Sequence, residues 1–287
     1  MSRQSNPEAD GLLEKEIPCL NCGFVRLIDY MGGDESIVQA ARVSYGKGTK
    51  TVNEDRGLIR YLMRHRHTTP FEMVEVKFHV KLPIFVARQW IRHRTANVNE
   101  YSGRYSVMKD EFYVPGHDAI HFQSLRNKQG RAQEEVPAET RQKVLDILTS
   151  SQSKLYEEYE QLLEDDLARE LARINLPLSL YTEWYWKIDL HNLFHFLSLR
   201  LDAHAQYEIR VYAEAIARIT KAVVPVAWEA FDDYVLKAES FSRMEMSVIG
   251  ESLRTNALTR ESLEAKGFGR REAEEFLEKL ARLSGGR

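Results

Sequence analysis

The chain reads as an α+β protein in which a small, largely antiparallel sheet carries a short arginine-rich helix and packs with several long helices. Three features predict this. Val74, Val76, Phe78 and Val80 alternate with Glu75, Lys77 and His79, the period of a half-buried strand. That strand runs directly into Pro83-Ile84-Phe85-Val86-Ala87, a helix start with proline in the first turn, where its missing N–H costs nothing. Thr140–Leu163 and Ala205–Val235 keep the apolar spacing of amphipathic helices.

Taken in order, Met1–Pro18 is polar and is expected to be a disordered or extended leader. Gly23–Tyr30 has strand composition, and Asp34–Ala41 reads as a short helix with Asp34 as its N-cap. Gly46-Lys47-Gly48-Thr49 is too short for a phosphate-binding P-loop, whose glycines stand further apart. Asn53–His65 has helical spacing at Leu58, Ile59, Leu62 and Met63. Thr69 and Glu72, with Pro70 between them, form a capping-box pattern. Glu111–Pro115 is a short strand candidate and Gly116–Glu139 a long surface loop. Asp166–Ile174 reads as a helix that Pro177 ends, carrying Arg173 among apolar neighbours. Leu178–Leu201 is aromatic and hydrophobic, with Asp189, His191, His195 and Arg200 as polar exceptions; it is expected to be a core helix. An arginine there needs a partner, and Asp202 and Glu208 are the nearby carboxylates. The charged tail from Ser247 to Arg287 has helical composition.

Composition bounds the function. The 287 residues, 43% hydrophobic, suffice for a sizeable core. Net charge is −3, whereas a protein dominated by nucleic-acid phosphate contacts is usually basic overall, so a small anion is the better ligand. No apolar run approaches the roughly 20 residues of a membrane span. Met1–Asp10 lacks the apolar core of a signal peptide, and the two cysteines, Cys19 and Cys22, read as ordinary reduced thiols; a cytoplasmic location is expected.

The chemistry concentrates between Arg88 and Arg104. Arg88, Arg92, Arg94 and Arg104 are interleaved with His93, Asn97, Asn99, Glu100 and Ser102. On a helix Arg88 and Arg92, four apart, share a face, and Thr95–Gly103 lacks helical period and is expected to be an ordered loop. Arginine forks suit phosphate and carbonyl oxygens, and Asn, Ser and Glu add donors and acceptors for sugar or base edges. The cluster reads as a site for an anionic, hydrogen-bonding ligand such as a nucleotide.

Arg92-His93-Arg94, seven further residues and then Ser102 resemble the R-H-R-x7-S signature of the flavin-dependent thymidylate synthases. The resemblance extends over Gly23–Tyr234 through A-A-R-V-S at Ala40–Ser44, H-x-T-P-F-E at His67–Glu72, A-R-Q-W at Ala87–Trp90, A-R-I-x-L-P at Ala172–Pro177 and L-R-x-D-x-H-A-Q at Leu199–Gln206. It implies an FAD site at Ser44, His67, Thr69, Glu72, Arg92, His93, Arg94, Asn99, Glu100, Asp189, Leu190, His191 and His195. It implies a dUMP site at Gln89, Arg92, Glu100, Tyr101, Ser102, Gly103, Arg104, Arg173 and Arg200. Some members carry Asn where this chain has Asp189 and His195, and an Asp accepts but does not donate. Some have Ser in place of Asn97.

The implied reaction converts dUMP to dTMP, with 5,10-methylenetetrahydrofolate as carbon donor and NADPH reducing FAD, in a homotetramer whose active sites are shared between subunits. Methylating C5 of uracil requires electron density at that carbon, and the usual device is a thiolate adding to C6. Both cysteines lie in the leader, so the alternative device is favoured: a partly buried arginine stabilising negative charge on the pyrimidine edge, for which Arg200 is the choice. His191 and His195 are spaced like metal ligands, but no H-E-x-x-H accompanies them and no metal is expected. No G-x-G-x-x-G is present, so a Rossmann mode of flavin binding is excluded. The organisation expected is a leader (1–22), a catalytic domain (23–246) and a helical appendage (247–287). The competing reading is a non-catalytic nucleotide- or RNA-binding protein that uses the Arg88–Arg104 cluster.

Overall fold

The computed structural model describes residues 6–43, 52–125, 130–132, 134–244, 246 and 259–283. The chain forms two compact units, Met1–Phe231 and Asp232–Arg287. In the first, the described elements run α1 (Pro7–Asp10), β1 (Glu16–Cys19), β2 (Gly23–Met31), α2 (Asp34–Val43), α3 (Val52–Arg64), β3 (Glu75–Pro83), α4 (Ile84–Trp90) and β4 (Asn97–Glu100). They continue with α5 (Ala138–Glu164), α6 (Arg169–Ala172), β5 (Tyr181–Asp189), α7 (Leu190–Arg200), α8 (Tyr207–Val223) and α9 (Pro225–Phe231). The strands form one sheet in the order β1-β2-β3-β5-β4, with every neighbouring pair antiparallel. This is the predicted α+β architecture.

The sheet is two-faced because its strands alternate. Val76, Phe78 and Val80 of β3, with Trp184, Trp186 and Ile188 of β5, are buried on one face. Against them stands Trp90 from α4, its ring centroid 5.1 Å from Trp186 and 4.8 Å from Phe196 of α7. Each such ring removes a large apolar area from water. The opposite face is polar: His79 meets Glu183 at 3.0 Å, Lys109 reaches the same carboxylate at 2.9 Å, and Lys187 pairs with Glu75 at 2.7 Å.

Several sequence expectations change. Within Met1–Pro18, expected to be a disordered or extended leader, Pro7–Asp10 form α1 and the chain from Glu16 enters the edge strand β1; Asn6 donates to the carbonyl of Ala222, and Ala9 and, at the end of β1, Cys19 are buried. Leu178–Leu201 is not one core helix. Its first half is the strand β5, whose period of two is hidden because Tyr185 on the outward face is also aromatic. Asp189 then switches the chain to α7 by accepting from the N–H of Asn192 at 3.0 Å. The loop expected over Thr95–Gly103 contains β4, paired with β5.

Ala205–Val235 is broken after Val223, since Pro225 cannot continue the α8 hydrogen-bond ladder. The carboxylate of Asp34 accepts from the N–H groups of Val226 and Ala227 at 2.9 and 2.8 Å. Asp34 therefore caps α9, whereas the sequence suggested that it capped its own helix. The capping box at Thr69 and Glu72 does not form; Phe71–Met73 is a 3-10 turn entered from Pro70, without a side-chain cap. Glu111–Pro115 contributes only an isolated bridge, Phe112 to Leu180. Asp166–Ile174 holds only the short α6 and a 3-10 turn at Arg173–Asn175.

The second unit opens with a π-helical turn at Asp232–Leu236, and its later described helices are α10 (Arg260–Glu264) and α11 (Arg270–Leu283). Thr259 and Ser262 form a reciprocal capping box at the start of α10. Gly267, at φ +94°, turns the chain between the two helices.

Candidate active site

The helix α4 aims the arginine cluster. Its apolar side, Val86, Ala87 and Trp90, is locked in the core, so the chain must leave the helix at a fixed point and direction. It leaves at Ile91, and the N–H of His93 bonds the carbonyl of Trp90 at 2.9 Å, so Arg92 sits in a turn and not on the helical face shared with Arg88. Arg88, Arg92 and Arg94 are exposed, and among the described residues none of them has an ion-pair or hydrogen-bond partner. Three unpaired guanidiniums at one helix end create a field that attracts an anion.

Beneath them Arg200, at the last turn of α7, donates through Nε to Nε2 of His93 at 3.1 Å. Neither carboxylate considered from sequence pairs with it. Asp202 binds His204 at 2.9 Å, and Glu208 accepts from Tyr113, Arg131 and Gln206. Burial first, then the charge of Arg200, then His195 push the His93 imidazole down to about 4. It is neutral at neutral pH and can accept the Arg200 bond. Burial also lowers the Arg200 pKa, yet a guanidinium stays charged throughout the physiological range.

The residues after His93 form a second group. β4 is an edge strand with Asn97, Asn99 and Glu100 all exposed, anchored where Thr182 donates to Glu100 at 2.8 Å. The N–H of Tyr101 bonds the carbonyl of Glu183 at 2.8 Å, and its hydroxyl donates to the carbonyl of Val107 at 2.8 Å. Ser102 starts a turn, its hydroxyl accepting from the N–H of Arg104 at 3.4 Å. Gly103 is buried against Arg173: a Cβ there would lie 2.6 Å from Met108 Sδ and 3.1 Å from Arg173 Cδ. The structure thus packs Gly103 directly on Arg173, some 70 positions along, two residues that the resemblance assigned to one nucleotide site. Arg104 pairs with Glu170 at 3.2 Å, whereas Arg173 has no partner among the described residues.

Some of the residues expected around the flavin lie on or beside α7. Phe71 packs on Phe194 with centroids 6.4 Å apart, seating the His67–Glu72 segment beside the helix. His67 is exposed, stacked on Tyr61 at 5.9 Å; Thr69 is exposed and Glu72 half-buried. At the start of α7, Leu190 is buried and donates its N–H to Val74, while Asp189 is committed to the cap and His191 is half-buried. Midway along α7 exposed His195 faces His93, with ring centroids 5.9 Å apart. Ser44 lies outside the described residues.

One network of polar residues was not foreseen as a unit from sequence. Gln89 donates to Gln206, Gln206 to Glu208 at 2.9 Å, and Glu208 also accepts from the Tyr113 hydroxyl at 2.8 Å and from Arg131 at 2.5 Å. Gln206 ends a block already noticed, and a carboxylate two residues later in an apolar helix was the available signal. Gln206, Tyr113 and Arg131 also line a cavity of about 950 Å³ with Asn21, Tyr207 and Arg210. None of the residues predicted for FAD or dUMP borders it.

An antiparallel α+β fold that gathers unpaired arginines and a neutral histidine round a helix end defines a nucleotide-handling protein. Comparison with known proteins makes this particular. The profile of the family described as "Thymidylate synthase complementing protein" matches residues 26–226. The chain is 55% identical over 275 residues to the flavin-dependent thymidylate synthase of Ehrlichia ruminantium (strain Gardel), covering 96% of this chain and 91% of that one. It is 54% identical to the protein of the same name from Ruegeria pomeroyi, covering 98% and 93%. The crystal structure of the UMP/dUMP methylase PolB from Streptomyces cacaoi bound with 5-Br dUMP superposes with a TM-score of 0.69 at 35% identity, over 77% of this chain and 99% of that one. The chain belongs to the flavin-dependent thymidylate synthase family.

Proposed function

We propose that this chain is a thymidylate synthase that converts dUMP to dTMP, with 5,10-methylenetetrahydrofolate as carbon donor, NADPH as reductant and FAD as its cofactor. The observation that carries the reading is the Arg200 guanidinium, half-buried and held by a neutral imidazole without a neutralising carboxylate among the described residues. A cation in that state can stabilise negative charge that develops on the pyrimidine edge, and its planar fork suits two oxygens or an oxygen and a nitrogen. The thiols support a reaction without a cysteine nucleophile. Burial pushes the Cys19 thiol up to about 12, and Cys22 is likewise raised by burial, so neither offers a thiolate at neutral pH.

The remaining roles follow from residue chemistry. Arg92, Arg94 and Arg173 supply unpaired cations for phosphates, and Ser102 with the Gly103–Arg104 backbone supplies short-range donors. The donor set fits FAD: free guanidiniums for its diphosphate, and His67, His93 and His195 for ring and edge contacts, with Thr69, Glu72, Asn99, Glu100, Asp189 and His191 as further polar partners. When bound, FAD supplies the hydride that side chains cannot.

Of the residues read as substrate contacts, Gly103 packs on Arg173 whereas Arg200 is joined to His93 of the flavin set, and among the described residues no hydrogen bond or ion pair links the two groups. This supports a homotetramer whose sites draw on more than one subunit. Among the described residues no helix is long and apolar enough to cross a membrane. Cytoplasmic residence, with no nucleic-acid or membrane partner, suits the unpaired thiols and the small-anion site.

The test is the flavin spectrum of the purified protein together with dTMP formation from dUMP, methylenetetrahydrofolate and NADPH. A colourless protein that binds nucleotide or RNA without turnover would instead establish the non-catalytic binding role.

A further inference from the structure

We infer that Glu208 is a positioning residue for nucleotide binding, its carboxylate fixing the orientation of the Gln89 amide through Gln206. The inference rests on the reading of Gln89 as a nucleotide contact given above. Glu208 is only 2% exposed, on the inner side of α8. A buried carboxylate is costly unless its lone pairs are satisfied, and here the Tyr113 hydroxyl, Arg131 and Gln206 all donate to it. Those bonds outweigh burial and hold its pKa below the usual value, so it is ionised and can only accept.

That restriction travels outward. A primary amide has two faces of nearly equal shape, and in isolation each glutamine could flip. An ionised Glu208 requires the nitrogen of Gln206, bound at 2.9 Å. The oxygen of Gln206 must then point the other way, where it accepts from the nitrogen of Gln89. Among the described residues, Gln89 is left with its oxygen and one N–H free in a single flip state. It sits on α4 immediately before the arginine turn, half-buried, so its free atoms belong to the same neighbourhood as Arg88 and Arg92. Glu208 is buried and committed to Tyr113, Arg131 and Gln206, so its carboxylate is not presented to a nucleotide. Its effect is to remove the wrong amide orientation before the ligand arrives, which is preorganisation.

The test is a double-mutant cycle on the FAD-loaded enzyme, measuring the dUMP dissociation constant, KM and kcat. Gln89→Ala should weaken dUMP binding by roughly three- to tenfold, the worth of one hydrogen bond. Glu208→Gln should weaken it by a similar factor, because a glutamine there can donate and so admits both amide orientations. Flavin content should be unchanged and kcat should move less than KM. Combined with Gln89→Ala, Glu208→Gln should weaken binding no further, whereas a merely structural defect would multiply with it. Gln206→Leu, which cuts the relay and leaves Tyr113 and Arg131 on Glu208, should behave in the same way and decides the matter if Glu208→Gln fails to fold. Wild-type dUMP affinity in Glu208→Gln and Gln206→Leu, or full multiplication of their effects with Gln89→Ala, overturns the inference while leaving Gln89 as a nucleotide contact. Wild-type affinity in Gln89→Ala itself removes that contact, and the inference with it.

Discussion

The Nε–H of Arg200 donates to Nε2 of His93 across 3.1 Å, so a permanent cation is oriented by a neutral ring. An imidazole that accepts at Nε2 carries its proton on Nδ1, which fixes the tautomer. A carboxylate in the place of His93 would hold Arg200 more tightly, but it would cancel the charge that the role proposed for Arg200 at the pyrimidine edge requires. The neutral partner leaves that charge uncancelled, and partial burial leaves it weakly screened.

Arg200→Lys is expected to retain FAD and lose most turnover. Lysine keeps the charge and loses the planar fork, both toward His93 and toward the ring edge. The barrier should rise by about 2–4 kcal/mol, as for loss of one oxyanion donor. Single-turnover formation of dTMP, with flavin absorbance as the loading control, reads this directly; near-normal rates would remove Arg200 from the chemistry.

His93 makes stability depend on pH. Its folded-state pKa of about 4 lies below the ordinary 6.5, so on acidification the unfolded chain takes up this proton first. The stabilisation is complete above about pH 6.5 and is lost progressively as the pH falls toward 4. Compared with His93→Gln, the wild-type protein should lose roughly 2 kcal/mol more between pH 7 and pH 4, a figure reduced from the full shift because the ring is partly exposed. Urea midpoints at the two pH values measure it. Parallel curves for the two proteins would show that the ring titrates normally.

Gly103→Ala should act on the nucleotide through Arg173. The new Cβ would come within 3.1 Å of the Arg173 side chain and 2.6 Å of Met108 Sδ, so one of them must move. Overpacking of this kind costs about 1–3 kcal/mol, and displacement of Arg173 should appear as a KM for dUMP raised about tenfold with little change in flavin content. An unchanged KM would mean that Arg173 is not a substrate contact or that Met108 alone gives way.

Assembly can be tested by complementation. Ser102→Ala–Arg104→Ala damages the loop, and Arg200→Ala damages the helix end. If each site takes its loop and its helix end from different subunits, co-refolding the two inactive variants should restore part of the dTMP-forming activity, because some hybrid sites receive only intact elements. Mixed tetramers verified by mass and without activity would place both elements of a site in one chain.

Much of this protein follows from local chemistry that the sequence states on its face. The strand at Val74–Val80, the helix start at Pro83 and the spacing from Arg92 to Ser102 depend only on near neighbours, and they identified the fold class and the family. β5 was obscured because period two is legible only when the outward positions are polar, and Tyr185 is not. The cap from Asp34 to α9 and the contact of Gly103 with Arg173 join residues far apart in the chain, and nothing local encodes such pairs. The partner of Arg200 was open for a similar reason. Asp202 and Glu208 are nearer in sequence and carry the complementary charge. Only the tertiary fold, by seating α7 against the end of α4, decided that a histidine 107 positions away would hold it and that Glu208 would be spent on Tyr113, Arg131 and Gln206.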